Sequence, residues 1–426
     1  MPTKFKCVRG TKDILPDEVG AYGRIEDISK KIFTAYGYRQ IRTPIIETRD
    51  LFMRSLGKDS EVVGKQMFTI ERGDDVFVLR PEATAGVMRA YLENNLDKKE
   101  GFVKLYYIGP MFRAERPQKG RLRQFHHIGV EAIGSNEASL DIEVISLACS
   151  MLAGFGIIGF VVKINSLGCR DDKNKFAALL RSALQDKHDK LCADCAERLK
   201  HNVFRILDCK NDECRKIVSG IGIARSQYLC ADCMSHFDFV LEGLDALGIK
   251  YQDTITLVRG LDYYTKTVFE IMHPDLGSQD AIGAGGRYDN LAAEIGESPV
   301  GAIGFAFGME RIILVAPEEK TGDNAGLVYI ISLGQAAEKK SLKLLADLRK
   351  EDIGCDTDYS RRSLKGALRA AADLGASYVV IIGDNELNKG IATLKDMESG
   401  EQREIKQGHL IEELKYITAR VRKPVW

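Results

Sequence analysis

The sequence predicts an α+β protein: a mixed, mainly antiparallel sheet with flanking helices, a helical insertion, and a C-terminal α/β domain. Three observations carry this. Short apolar runs between residues 38 and 307 are joined mostly by turns rather than helices, which favours antiparallel pairing. From about residue 168 to 250 the texture changes to Lys/Asp-rich helical segments with clustered cysteines. Beyond Pro317 a charged, Gly-containing linker gives way to alternating strands and helices. We therefore read a first domain over residues 1–322, interrupted by the insertion, and a second over 326–426.

Taken in order, Val19, Tyr22, Ile25, Ile28, Ile32 and Phe33 recur at helical spacing, with Pro16 in the first turn, Asp17 and Glu18 behind it and Gly37 past the end. The spacing predicts a long amphipathic helix over 16–36. Residues 38–41 follow as an edge strand, limited by Pro44. Further strands are predicted at 67–70, 76–79, 102–108, 125–133, 159–165, 254–258, 268–272 and 301–307. The uncharged run 144–162 is long enough to span a bilayer, but Gly154, Gly156 and Gly159 break it, so it reads as a buried helix turning into a strand. The tail alternates strand 327–333, helix 335–350, strand 355–359, helix 363–374 and strand 378–382, with a last helix at 409–421.

Composition narrows the classes. Lys+Arg is 61 and Asp+Glu is 61, so the net charge is zero and nucleic-acid binding must be argued from local sites. With 45% hydrophobic and 29% charged residues in 426, disorder, collagen-like structure and a small disulfide-stapled scaffold are excluded. No apolar stretch follows the opening charges, so a cytoplasmic protein without a membrane anchor is expected, its ten cysteines mostly reduced.

The densest chemistry lies between residues 112 and 131. Arg113, Arg116, Lys119, Arg121 and Arg123 surround a Pro117/Gly120 turn, as a polyanion site requires, because guanidinium groups fork onto phosphate oxygens. Glu131 then interrupts an apolar strand, and a buried carboxylate needs a partner. Arg80-Pro81-Glu82-Ala83-Thr84 places a carboxylate and a hydroxyl at a helix start, which a plain helix cap also explains. Arg259 with Tyr263 and Tyr264 is expected at a strand end. Gly283, Gly285 and Gly286 precede Arg287-Tyr288-Asp289 where a backbone approaches a ligand or simply turns. Arg311 opens an apolar helix.

Read together, these segments resemble the histidyl-tRNA synthetases, a family of class II aminoacyl-tRNA synthetases. Arg9-Gly10-Thr11-Lys12-Asp13 with the Pro44 segment resembles motif 1, residues 113–131 motif 2, and 301–311 motif 3. Leu257-Val258-Arg259-Gly260-Leu261-Asp262-Tyr263-Tyr264 and Gly285-Gly286-Arg287-Tyr288-Asp289 resemble the two histidine-specific signatures. The resemblance implies an aminoacyl-tRNA ligase that activates L-histidine with ATP and Mg²⁺ and transfers it to tRNA(His), a homodimer built on motif 1, and an anticodon-binding tail. It implies Arg113 and Arg259 as the catalytic arginines on the α-phosphate, with Arg121 and Arg311 also binding ATP. It implies Glu82, Ala83, Thr84, His127, Glu131, Tyr263, Tyr264 and Tyr288 for histidine. A site that hydrogen-bonds a polar side chain rejects apolar analogues without editing.

One departure stands out: where the family usually has glutamine after Gln124-Phe125-His126, this chain has His127. An imidazole titrating near pH 6.5 there predicts pH-sensitive histidine binding. The rival reading is a catalytically inactive regulatory subunit of ATP phosphoribosyltransferase, which would retain the fold and lose the chemistry; an RNA-binding protein with a vestigial synthetase fold is another. In the tail, Arg361, Arg362 and Lys365 form a basic patch for an RNA stem, or a solvated helix start.

Cys192-x₂-Cys195 and Cys230-x₂-Cys233, with Cys209 and Cys214 between them, have paired thiolate spacing. Structural zinc and ordinary reduced thiols both fit this spacing, which by itself assigns no metal ligand.

Overall fold

The computed structural model describes residues 5–57, 60, 62–118, 120–317 and 326–421. Lys119 of the basic turn and the linker at 318–325 lie outside the described residues. The chain divides into two compact units, Met1–Glu318 and Glu319–Trp426.

The strands of the first unit are β1 (Arg39–Gln40), β2 (Ile46–Thr48), β3 (Phe68–Arg72), β4 (Asp75–Leu79), β5 (Val103–Phe112), β6 (Gln124–Ile133), β7 (Val161–Ser166), β8 (Tyr251–Asp253), β9 (Thr265–Met272), β10 (Ala281–Arg287) and β11 (Ala302–Gly308). Eight form one sheet in the order β1-β5-β6-β11-β10-β9-β7-β8. Only the outermost pairs, β1 with β5 and β7 with β8, are parallel. The mainly antiparallel character read from the turns is therefore correct. Strands β2, β4 and β3 make a separate small sheet.

The pleat of β6 explains how one strand serves both core and site, since successive side chains point to opposite faces. Ile128, Val130 and Ala132 enter a core with helices Pro16–Ala35 and Ala138–Gly154. His127 and Glu131 face the other way, as does Ile133, which joins Tyr107, Tyr263 and Tyr288 in a second cluster. The helix Ala138–Gly154 buries Val144, Leu147, Ala148 and Met151 completely, so its apolar length is core. Among the described residues no helix is long and apolar enough to cross a membrane.

One predicted strand is displaced. The ladder beside β7 is made by β8, and residues 254–258 form a turn and loop, because the Asn165 amide donates to the carbonyls of both Ile255 and Leu257 at 2.9 Å. Arg259 consequently lies in a loop rather than at a strand end. Gly283, Gly285 and Gly286 lie inside β10, not in a turn. A Cβ at Gly283 would strike Phe307 of the neighbouring strand, so close strand packing is what requires this glycine.

In the second unit, β12 (Val328–Ser332), β13 (Cys355–Thr357), β14 (Tyr378–Ile382), β15 (Ile391–Asp396) and β16 (Gln402–Lys406) order as β13-β12-β14-β15-β16. Helices Gln335–Lys350 and Leu410–Val421 cover one face through Leu345, Leu348 and Leu414; Leu364–Asp373 covers the other through Ala367 and Ala371. The β15–β16 hairpin was not legible, since Gln402–Lys406 is an almost wholly polar edge. Asp396 sets its turn by accepting the amides of Glu398 and Ser399 at 2.9 Å. The basic patch is partly neutralised: Arg362 pairs with Asp358 at 2.9 Å and Arg361 with Glu338 at 3.6 Å.

Candidate active site

The site grows from the odd-numbered face of β6. Glu131 is buried to 1% exposure. Its Oε1 accepts the Thr84 hydroxyl at 2.7 Å, and its Oε2 accepts the Tyr288 hydroxyl. The buried Tyr107 lies on the same face of the sheet. Burial, with a further push from the nearby Glu82, takes the carboxyl up to about 8, against the pull of the Tyr288 and Thr84 hydroxyls. Gly304 on β11 lies directly across; a Cβ there would collide with Glu131 Oε2, so only glycine leaves the carboxylate its place. Tyr107 was missed in the sequence, although its position on β5, opposite Gly129, puts it on the site face.

Glu82 turns its carboxylate onto the start of helix Thr84–Glu93, accepting the amides of Thr84 at 2.7 Å and Ala85 at 2.9 Å. The cap reading of this motif is thus right for Glu82, and Thr84 spends its donor on Glu131 instead. Each carboxylate oxygen and the Thr84 hydroxyl keep acceptor lone pairs for a ligand. Ala83 is 1% exposed and packs with the aromatic cluster. Tyr263 lies 4.6 Å from Tyr264 and 5.6 Å, edge-on, from Tyr288, ring centre to ring centre. The loop carrying both tyrosines is gripped by Lys173, whose Nζ donates to the carbonyls of Asp262 at 2.8 Å and Tyr264 at 3.1 Å.

The arginines gather beside this pocket. Arg113 is anchored by Nε on the Pro81 carbonyl at 2.9 Å and rests over the Phe125 ring at 5.5 Å. Glu82 and Tyr263 lie within its electrostatic reach. Arg121 pairs with Glu115 at 3.0 Å. Arg311 is held by the carbonyls of Gly120 and Ala281. Burial lowers the proton affinity of its guanidinium, and the like charges of Arg121 and Arg113 lower it further. Arg259 donates Nη1 to Glu270 at 2.7 Å, and its buried Nε has no partner. Arg113, Arg121 and Arg311, which repel one another, and the buried, unsatisfied donor of Arg259 are each stabilised by an anion of several charges.

His127 sits at the junction of the two halves. Burial, and then the charges of Arg113, Arg311 and Arg80, hold it down to about 3, and its buried Nδ1 has no partner. This overturns the expectation that it titrates near pH 6.5: the imidazole is neutral throughout the working range. Its neighbour His126 points to the opposite face and meets Glu310 at 2.9 Å.

Arg287 of the second histidine signature is not in the pocket. Its guanidinium is wholly buried, donating to Asp141 and to the carbonyls of Ser135 and Glu137.

The cysteines fall into two groups, and the paired spacing misled on one point. Cys192, Cys195, Cys209 and Cys214 converge, but Cys230 and Cys233 join Cys169 and Asp172 instead. Neither of the latter stood out in the sequence.

Comparison with known proteins identifies the family and the fold. A family model described as Histidyl-tRNA synthetase matches residues 10–312, and one described as Anticodon binding domain matches 327–417. The histidine–tRNA ligase of Halothermothrix orenii is 46% identical over 96% of this chain and 98% of its own length. The crystal structure of apo S. aureus histidyl-tRNA synthetase superposes with a TM-score of 0.80 at 34% identity, covering 96% of this chain and 100% of that one. An ATP phosphoribosyltransferase regulatory subunit/histidyl-tRNA synthetase from Bacillus halodurans shares the fold, with a TM-score of 0.66 at 21% identity over 90% of this chain and 99% of its own.

Proposed function

The chain belongs to the histidyl-tRNA synthetase family and is a histidine–tRNA ligase; on that premise we propose how its residues divide the reaction. The histidine carboxylate attacks the α-phosphorus of ATP, pyrophosphate leaves, and a hydroxyl at the 3′ end of tRNA(His) then displaces AMP from the histidyl-adenylate. Charge builds on the α-phosphate oxygens during attack, so fixed cations there stabilise the transition state more than the ground state. Arg113 and Arg259 supply that charge from two sides, the unpartnered Nε of Arg259 being one donor. Arg121 and Arg311 take the leaving phosphates.

Mg²⁺ supplies further charge neutralisation on these phosphates. Glu115 and Glu270, the carboxylates beside the arginines, pair with Arg121 and Arg259 here and would be the protein oxygens nearest such an ion.

Glu131 is the observation that carries the amino-acid assignment. A carboxyl buried to 1% on a sheet face, oriented by Thr84 and Tyr288, matches one polar nitrogen of an imidazole; Tyr264 meets the other, and Tyr263 packs against the ring. Glu82 and Thr84, with Ala83 between them, receive the ammonium. His127, neutral and with a free Nδ1, contacts the bound amino acid beside the carboxylate that reacts.

The ligase works as a homodimer in the cytoplasm, where ATP and tRNA are available. The second unit reads the anticodon region, with Lys365 and the paired Arg361 and Arg362 facing RNA. The relatives named histidine–tRNA ligase weigh against the inactive regulatory subunit, and none of the arginines such a subunit would lack is absent here.

Histidine-dependent exchange of labelled pyrophosphate into ATP tests the assignment. Exchange is expected in the wild type and should fall about 10²–10³-fold in Arg113→Ala and Arg259→Ala. Variants that fold and exchange normally would remove these arginines from the site.

A further inference from the structure

Seven of the ten cysteines lie in the helical insertion and its first turn, and all are free thiols. They are not scattered. The sulfurs of Cys192, Cys195, Cys209 and Cys214 lie within 4.8 Å of one another, three of these residues being buried. Cys169, Cys230, Cys233 and a carboxylate oxygen of Asp172 make a second set of the same size.

Spacing separates the explanations. The sulfurs of Cys192 and Cys209 are 3.9 Å apart. A disulfide would hold them at about 2.05 Å. Four sulfurs bound tetrahedrally at about 2.3 Å lie about 3.8 Å from each other, which is the distance seen.

The backbone is arranged for negative sulfur. Cys192 occupies the N-cap position of helix Ala193–His201 and Cys195 is its third residue; Cys214 is the third residue of helix Asp212–Ser219. The Cys192 amide donates to Cys214 Sγ at 3.2 Å, and the Asn211 amide to Cys209 Sγ at 3.4 Å. The second set repeats the plan with two facing helix starts. Cys169 occupies the N-cap position of Arg170–Gln185 with Asp172 third, and Cys230 that of Ala231–Ala246 with Cys233 third. The Cys230 amide donates to Asp172 Oδ1 at 3.0 Å, tying the two helix starts together. Amide donors and the positive ends of helices at these positions compensate the charge of metal-bound thiolates.

We propose that the insertion binds two structural zinc ions, one through Cys192, Cys195, Cys209 and Cys214, the other through Cys169, Asp172, Cys230 and Cys233. Soft thiolates with at most one carboxylate select zinc over magnesium or calcium, and four protein ligands leave no open position for catalysis. The ions are positioning elements. Lys173, next in sequence to Asp172, holds the carbonyls of Asp262 and Tyr264. Asn202, between Cys195 and Cys209, donates to Asp262 Oδ1 at 3.1 Å. Both metals thus brace the segments that grip the loop bearing Arg259, Tyr263 and Tyr264, the one part of this inference that rests on the proposed function.

The test is metal analysis of the full chain, purified from zinc-supplemented cells without chelator. Two zinc ions per chain are expected, with Cys195→Ser and Cys233→Ser each losing one. Iron in place of zinc, or a metal-free protein in which all ten thiols react in the native state, would overturn the proposal. A variant that keeps both ions overturns the site it was meant to break. Should the variants fail to fold, cobalt(II) exchanged into the wild type decides: intense tetrahedral visible bands with thiolate charge transfer are expected, and their absence refutes it. Loss of zinc should also raise the KM for histidine several-fold and lower kcat, since the braced loop carries Arg259 as well as the two tyrosines; unchanged constants would refute the bracing role while leaving the metal count to stand or fall by itself.

Discussion

The Nε of Arg287 donates to Oδ1 of Asp141 at 2.9 Å, and neither side chain has any exposure. The other Asp141 oxygen meets His236 Nε2 at 2.8 Å. One buried carboxylate therefore ties the second histidine signature, the helix Ala138–Gly154 and the last helix of the insertion together. Removing one partner strands a buried charge, so Arg287→Ala should cost about 3–5 kcal/mol. Arg287→Lys should lose most of the same, because an ammonium cannot reproduce the fork that also reaches Ser135 and Glu137. Urea unfolding measures it; a loss below about 1 kcal/mol would show the pair to be dispensable.

Gly304→Ala should damage histidine binding while sparing ATP. The new Cβ would displace Glu131 from between Thr84 and Tyr288. Initial-rate pyrophosphate exchange is expected to show the histidine KM raised at least about 10-fold, with the KM for ATP within about 2-fold, in line with lost polar recognition. A uniform loss of kcat instead would point to general disruption of β11.

Glu131 sets an alkaline limit on histidine binding. With its pKa at about 8 the free enzyme carries the proton at pH 7, while the free imidazole is neutral above about 6.5. The complex shares that one proton. Above pH 8 the free enzyme has lost it and must take one up on binding, so the histidine KM should rise towards 10-fold per pH unit. Glu131→Gln should bind histidine more weakly and lose this limb. Parallel profiles in both proteins would exclude Glu131 from contact with the ring.

His127 should leave the pH profile of histidine binding alone and act on acid stability. The folded value of about 3 lies below the unfolded value of about 6.5, so between these the unfolded chain binds the extra proton. Stability is complete above pH 6.5 and declines as pH falls towards 3. His127→Gln should therefore be more acid-tolerant, by about 1–2 kcal/mol at pH 5 relative to the wild-type change from pH 7. Thermal melts at both pH values check it; an altered KM profile between pH 6 and 8 would restore the titrating role.

Charge-neutral substitution of Arg361, Arg362 and Lys365 should weaken tRNA charging several-fold and leave pyrophosphate exchange intact. Because Arg362 pairs with Asp358, Lys365 alone should show the larger part of the effect per charge removed. Loss of both activities would mean that the second unit had been destabilised instead.

What could be read from the sequence was whatever is written in local period and local chemistry. The helix Pro16–Ala35 announces itself by apolar residues at 3.6 spacing, and the helix Gln335–Lys350 is found at its expected limits. The basic turn and the carboxylate inside an apolar strand, which single out Arg113 and Glu131, are likewise features of adjacent residues. Pairings between distant residues were not readable. Thr84 and Glu131 are 47 residues apart, Arg287 and Asp141 146, Tyr288 and Glu131 157. Only the stacking of β6, β11 and β10 brings such groups within reach, and only the burial that follows decides protonation. That burial keeps His127 neutral where its residue type suggested a switch. It also sorted the cysteines: spacing along the chain grouped two Cys-x₂-Cys pairs, whereas facing helix starts separate them and recruit Cys169 and Asp172.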